Sequence, residues 1–162
     1  MSHFFPRAEY AEDQSLERTI LATHVLSRGF QLGTGVGLLS SGAEALTKRR
    51  SITTPFLLRS AGVGGAIGAG VVGVGLIARM WGRDEIEWKD RSWRLRYNSV
   101  QLAIDNWSEP AAVIGALTVA LQRQSGSMLG GWRELIGGAG IGSLIGVVGC
   151  MCATRILPSQ NR

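Results

Sequence analysis

An all-α membrane protein is the fold class this chain predicts, and three observations predict it. The 162 residues include 23 glycines, about double the usual share of roughly 7%. Those glycines fall in clumps, Gly29 to Gly42, Gly62 to Gly82 and Gly126 to Gly149, which lie largely inside apolar stretches rather than between them. Glycine is commoner in membrane helices than in soluble ones. Charged residues, 18% of the chain, gather in the segments between the apolar stretches. The length suits one domain, residues 1–162, with about four glycine-rich spans, and no room for a separate catalytic domain.

The chain opens on Tyr10 to Ser27, YAEDQSLERTILATHVLS, which reads as an N-terminal amphipathic helix. Glu12 and Asp13 stand early in it, where negative charge suits the helix dipole. It is acidic and lacks both the Arg-rich character of a transit peptide and the apolar stretch of a secretory signal, so any organelle targeting is expected to be internal. The helix can run straight into a first span over 28–46. That span is less apolar than the others because Ser40, Ser41 and Glu44 fall in its last turns, ahead of the dense Lys48-Arg49-Arg50 turn.

A second span covers 57–80. Its centre, Ser60 to Ala78, is 19 residues without a charge, roughly 28 Å of helix against a hydrocarbon core of about 30 Å. Next comes a polar loop, 81–106. There Trp93, Leu95 and Tyr97 alternate with Arg94 and Arg96, and Val100, Leu102 and Ile104 alternate with Gln101 and Asp105, across Asn98-Ser99. Period two on both sides of an Asn-containing turn predicts a β-hairpin, with an amphipathic surface helix as the rival. A third span, 107–123, has only Pro110 to Leu121 as its uncharged centre, with a re-entrant or surface helix as the alternative. A fourth, 134–154, contains Leu135 to Ala153, again 19 uncharged residues.

Four spans put both termini on one side. The Lys and Arg count, 11 against 6, favours that side as the positive one, whereas the Lys48-Arg49-Arg50 turn argues the reverse. The orientation of the termini stays open.

Helices in lipid associate through close backbone packing, which a small residue at every fourth position permits. Such stripes occur at Gly33 and Gly37, at Gly64 and Gly68, at Ala112, Ala116 and Ala120, and at Gly138, Gly142, Gly146 and Cys150. They are expected to pack the bundle, and one of them can dock onto a foreign helix. Trp81, Trp107 and Trp132 stand at span ends, as an interfacial belt requires. Trp88, Arg91, Trp93 and Arg94 form a mixed aromatic and charged face suited to docking a protein partner.

Chemistry is harder to find. Cys150 and Cys152 point about 200° apart on a helix and cannot bridge or share a metal. His24 and Arg28 share a helix face, with no ligand-like spacing around them. Glu44 and Arg59 lie near span ends, where they can snorkel. Gly68 to Gly73 matches GxGxxG but sits inside a span, not after a strand, so it is no dinucleotide site. The basic residues are spread among acids and make no nucleic-acid patch. No catalytic residue, metal or cofactor site is expected.

Phe4 to Gln31, FFPRAEYAEDQSLERTILATHVLSRGFQ, followed by a glycine-rich span, and Glu85 to Asn98, EIEWKDRSWRLRYN, ahead of an NWSEP turn, together carry a resemblance. The chain resembles, from Phe4 to about Ala153, the small membrane accessory subunit, known chiefly from fungi, of mitochondrial NADH:ubiquinone oxidoreductase (complex I). That resemblance implies a multi-pass, non-catalytic subunit of the inner mitochondrial membrane. It would bind the flank of the membrane arm among its other subunits, with lipids at the contact, and support assembly or stability. More loosely, the chain is similar to the four-span, glycine-rich inner-membrane protein translocase family, whose helices would surround a groove for a sliding polypeptide.

Overall fold

The structure, a computed structural model, describes residues 5–49, 51–124 and 131–156. Phe4, Arg50, the centre of the connection between the third and fourth expected spans, and the tail bearing Arg162 lie outside them. Among the described residues five α-helices follow a short 3-10 turn at Ala11–Asp13: α1 (Glu17–Lys48), α2 (Thr54–Met80), α3 (Glu85–Tyr97), α4 (Ser99–Gln124) and α5 (Trp132–Ile156). No strand occurs among the described residues.

The expected N-terminal helix begins late. Leu16 adopts a left-handed backbone, φ 57°, which separates the 3-10 turn from α1. From Glu17 the helix then runs for 32 residues through the first expected span without a break. At the other end of α2 the chain turns through Gly82, φ 67°, a conformation that costs glycine little.

The β-hairpin expected in 81–106 is not formed. Those residues make α3 and the first turns of α4, and the reason lies in their charges. Lys89 pairs with Glu85 at 2.8 Å, Arg94 with Asp90 at 3.0 Å and Arg83 with Glu87 at 3.3 Å, each an i,i+4 pair of the kind that supports a helix. The same period places Trp93 against Tyr97, ring centroids 4.4 Å apart. Asn98 does interrupt the chain, as a helix cap rather than a hairpin turn. Its Oδ1 accepts from the backbone N–H of Gln101 at 3.1 Å, which is how Asn satisfies the third orphan donor of a new helix.

The expectation of four spans is met in part by composition. Among the described residues two segments, α2 and Trp132–Thr154 of α5, are long and apolar enough to cross a membrane. α1 and α4 have the length, 32 and 26 residues, but carry His24, Arg28 and Gln31, and Asp105 and Glu109, within it. Pro110 lies inside α4, near the start of the third expected span.

The helices pack in the order α1, α2, α5, α4, and α3 rests on α1 and the 3-10 turn. Among the described residues the buried apolar side chains are few, Ile20, Ala45, Leu58, Ala61, Met80, Val119 and Cys150, while many others, such as Leu39, Val71 and Trp81, are exposed. The interior is therefore built largely from glycine backbones in contact, with apolar bulk turned outward. Thr34 of α1, fully buried, sits at the junction of three helices, between Gly65 of α2 and Gly140 of α5.

Candidate functional site

Two glycine seams position everything else. In the first, a Cβ on Gly33 would overlap the Gly64 carbonyl oxygen and come within 2.8 Å of Gly68 Cα, and one on Gly68 would come within 2.7 Å of Gly33 Cα. Gly37 meets Ser60, and Gly29 meets Gly68 and Val72. In the second seam, Gly138 and Gly142 of α5 face Gly115 and Ala111 of α4, and a Cβ on Gly146 would lie 2.7 Å from Ser108 Cα. The α4 face that enters this seam is Ser108, Ala111, Gly115 and Val119. It lies one position from the expected Ala112, Ala116 and Ala120, because Gly115 admits the closest approach. Cys150, at the end of the α5 stripe, is buried, and Cys152 is exposed.

Each end of the bundle carries a polar clasp. At the end where α1 and α4 begin, Arg28 Nη2 donates to Asp105 Oδ1 at 2.5 Å and to Gln101 at 3.0 Å. His24 Nδ1 lies 3.3 Å from Asp105 Oδ2. Arg28 Nη1 donates to Gln31 at 2.7 Å, whose Nε2 donates to Ser143 Oγ of α5 at 2.9 Å. The chain of bonds thus joins α1, α4 and α5. Asp105 is buried, and burying a charge is tolerable only where it is paired and hydrogen-bonded.

At the opposite end Arg59 Nε of α2 donates to Glu134 Oε1 of α5 at 2.5 Å. Glu134 is 1% exposed. Arg59 therefore reaches across to a neighbouring helix, where snorkelling was expected. Leu58 and Gly62 pack beside this pair against Gly137 and the Arg133 backbone. Sequence reasoning missed Asp105 and Glu134 as partners, since they stand 77 and 75 positions from Arg28 and Arg59 and no local spacing connects them.

The face formed by Trp88, Arg91, Trp93 and Arg94 is divided. Trp88 and Trp93 are half-buried, with Arg18 of α1 stacked 5.6 Å over the Trp88 ring. Arg94, paired with Asp90, points outward. The inner side of α3 also holds the N-terminal segment. Arg96 Nη2 donates to the Phe5 carbonyl at 2.7 Å, Tyr97 Oη to the Ala8 carbonyl at 3.0 Å, and Arg7 stacks 3.8 Å over the Tyr97 ring. Burial, and then the nearby Arg7 charge, push the Arg96 guanidinium down from its ordinary value.

Among the described residues, no group of three or more His, Cys, Asp or Glu stands close enough to hold a metal ion. The geometry defines a glycine-seamed helical bundle, clasped by ion pairs whose carboxylates are buried, with two helices among the described residues fit to cross a membrane. The chain belongs to the family described as protein of unknown function DUF1757, which it matches over residues 16–152. That match takes in all of α1, α2, α3 and α4 and nearly all of α5. No curated protein and no solved structure matches the chain.

Proposed function

We propose that the chain is a non-catalytic, multi-pass subunit of the inner mitochondrial membrane, an accessory subunit that supports assembly or stability of the complex I membrane arm. The observation that carries this reading is the inverted distribution of polarity. Polar side chains turn inward into the two clasps, while Ile67, Val71, Val74 and Ile77 of α2 and Val113, Ile114, Leu117 and Leu121 of α4 are more than half exposed. Continuous apolar surface of this kind marks a face covered by lipid or by another protein.

The same distribution supports four crossings. The residues that lower the hydropathy of α1 and α4 are the ones that bond to each other, His24 and Arg28 with Asp105. Ionisable side chains inside a membrane characteristically face the bundle interior and pair there.

Resemblance supports the complex I assignment. The two stretches that carry it, Phe4 to Gln31 and Glu85 to Asn98, meet through Arg96 on Phe5, Tyr97 on Ala8 and Arg18 over Trp88. Arg91 and Arg94 lie on the same helix and border this joint unit, where another subunit can dock. On a native gel of detergent-solubilised membranes, the protein should migrate with NADH dehydrogenase activity. Migration away from that band overturns the assignment.

A translocase component is the second reading. α2, α4 and α5 together line a crevice of about 470 Å³. Thr54, Thr118 and Gln122 stand at one end of it. Crosslinks from a precursor polypeptide to that crevice would favour this reading over the first.

A further inference from the structure

We propose that the cleft between α1 and α2 binds an anionic phospholipid, one acyl chain lying along the glycine seam and the phosphate at Arg59. This rests on the membrane reading above. Close approach of the two backbones leaves an open cleft of about 650 Å³ on the flank of the bundle. Gly33, Gly37, Gly64 and Gly68 line it, together with Leu32 and Val36 from α1 and Ile67 and Val71 from α2. Those four larger side chains are 61% to 70% exposed, so the chain's own helices do not cover them.

Two features choose the occupant. The lining is graded in polarity: Ser40, Arg59 and Ser60 gather with Phe56 at the end next to the α1–α2 turn, and beyond them come only Gly, Val, Leu and Ile. A phospholipid has the same order along its length. The cleft runs from Gly29 to Ser40 on α1 and from Phe56 to Val72 on α2, roughly 17 and 24 Å of helix at about 1.5 Å per residue. One leaflet with its headgroup layer is roughly 20–22 Å deep. A partner helix would need contact through both leaflets, roughly 30 Å of hydrocarbon.

Charge then selects the headgroup. Arg59 uses Nε for Glu134 and is 58% exposed along its side chain. A guanidinium has five N–H donors in a planar fork, so its terminal nitrogens can engage a phosphate while Nε holds the carboxylate. Lys48, Arg49, Arg123 and Arg133 stand at the same end of the bundle, against Glu44 and Glu134. The opposite end mixes both signs in the i,i+4 pairs of α3.

The full-length protein, reconstituted in vesicles of equal phosphatidylglycerol and phosphatidylcholine and then extracted in mild detergent, is examined by native mass spectrometry. The wild type should retain phosphatidylglycerol over phosphatidylcholine by roughly fivefold, the effect of one basic side chain at an anionic surface. Ile67→Trp, which fills the cleft from an exposed position, should lose retained lipid of both kinds. The double variant Arg59→Gln with Glu134→Gln leaves no orphaned charge and should keep lipid but lose the preference. Equal retention of the two lipids by the wild type overturns the proposal, as does an Ile67→Trp variant that retains lipid like the wild type. If Ile67→Trp instead leaves lipid unchanged and releases the protein from a larger assembly on a native gel, the cleft holds a partner helix and the proposal fails. Alkaline carbonate extraction separates the two levels. Protein in the pellet with no lipid preference overturns the lipid site alone, whereas protein in the supernatant overturns the membrane reading as well.

Discussion

Asp105 of α4 lies 2.5 Å from Arg28 of α1, although 77 positions separate them in the chain. His24, one turn before Arg28, reaches the other oxygen of the same carboxylate. α1 and α4 are not neighbours in the packing order, so this junction ties the two outer helices together. Removing one member of a buried pair leaves the other charge without compensation, at about 3–5 kcal/mol. Asp105→Asn should therefore destabilise the bundle by about 3 kcal/mol, towards the low end because Arg28 is partly exposed. An SDS titration in mixed micelles measures it, and a change below about 1 kcal/mol would discard the clasp as a structural element.

Arg59 and Glu134 should respond unequally. Glu134 is buried while Arg59 is more than half exposed, so Arg59→Ala strands a carboxylate and Glu134→Gln leaves a cation that water can reach. We expect Arg59→Ala to cost about 3 kcal/mol and Glu134→Gln about 1 kcal/mol. Equal losses in the same titration would contradict the assigned burial.

Glycine positions divide by what stands opposite them. A side chain at Gly142 meets the Ala111 carbonyl, whereas nothing lies within 4 Å of a Cβ at Gly35. Gly142→Leu should wedge α5 from α4 and cost at least about 3 kcal/mol, beyond ordinary overpacking because backbone is what it strikes. Gly35→Leu should be neutral or stabilising by about 0.5 kcal/mol, since glycine is a poor helix former. On a native gel only Gly142→Leu should loosen the complex.

Thr34 Oγ1 is buried without a hydrogen-bond partner. Valine keeps the shape and removes the hydroxyl, and an unpaired buried hydroxyl costs about 1–3 kcal/mol. Thr34→Val should raise the unfolding midpoint, by an amount equal to about 1 kcal/mol. A lowered midpoint would mean that the hydroxyl has a partner.

The Lys89 bond holds the Glu85 carboxyl below its usual value, and the Glu85 bond raises the Lys89 ammonium above its own. The depressed carboxylate contributes above its unfolded pKa and loses that contribution as pH falls through the folded value. The raised ammonium contributes below its unfolded pKa and loses it as pH rises through the folded one. Amide exchange in the first turns of α3, corrected for intrinsic rates, should therefore stay flat from about pH 5 to 9 and quicken outside. Glu85→Gln should abolish the acid-side change.

The apolar runs and glycine spacing of α2 and α5 were legible because uncharged stretches of 19 residues leave few alternatives to a long helix. The hairpin reading of 93–104 failed on ambiguity of period. Alternating Trp and Arg satisfied period two, while the i,i+4 charges Glu85–Lys89 and Asp90–Arg94 already satisfied a helix. Residue spacing located Gly33, Gly64, Gly138 and Gly142, yet it could not tell which stripe faced which, so the α4 face was misplaced by one residue. Asp105 and Glu134 were beyond local reasoning. Their partners are selected by how the helices lie side by side, which no window along the chain contains.

The hold of α3 on the beginning of the chain has a temporal side. Phe5 and Ala8 bond to Arg96 and Tyr97 across 91 and 89 positions, and a chain made from its N-terminus at about 5–20 residues per second reaches those partners only after α1 and α2 have been synthesised. The leading segment must therefore wait unfastened for several seconds. A chaperone or a neighbouring subunit has that interval in which to take hold of it.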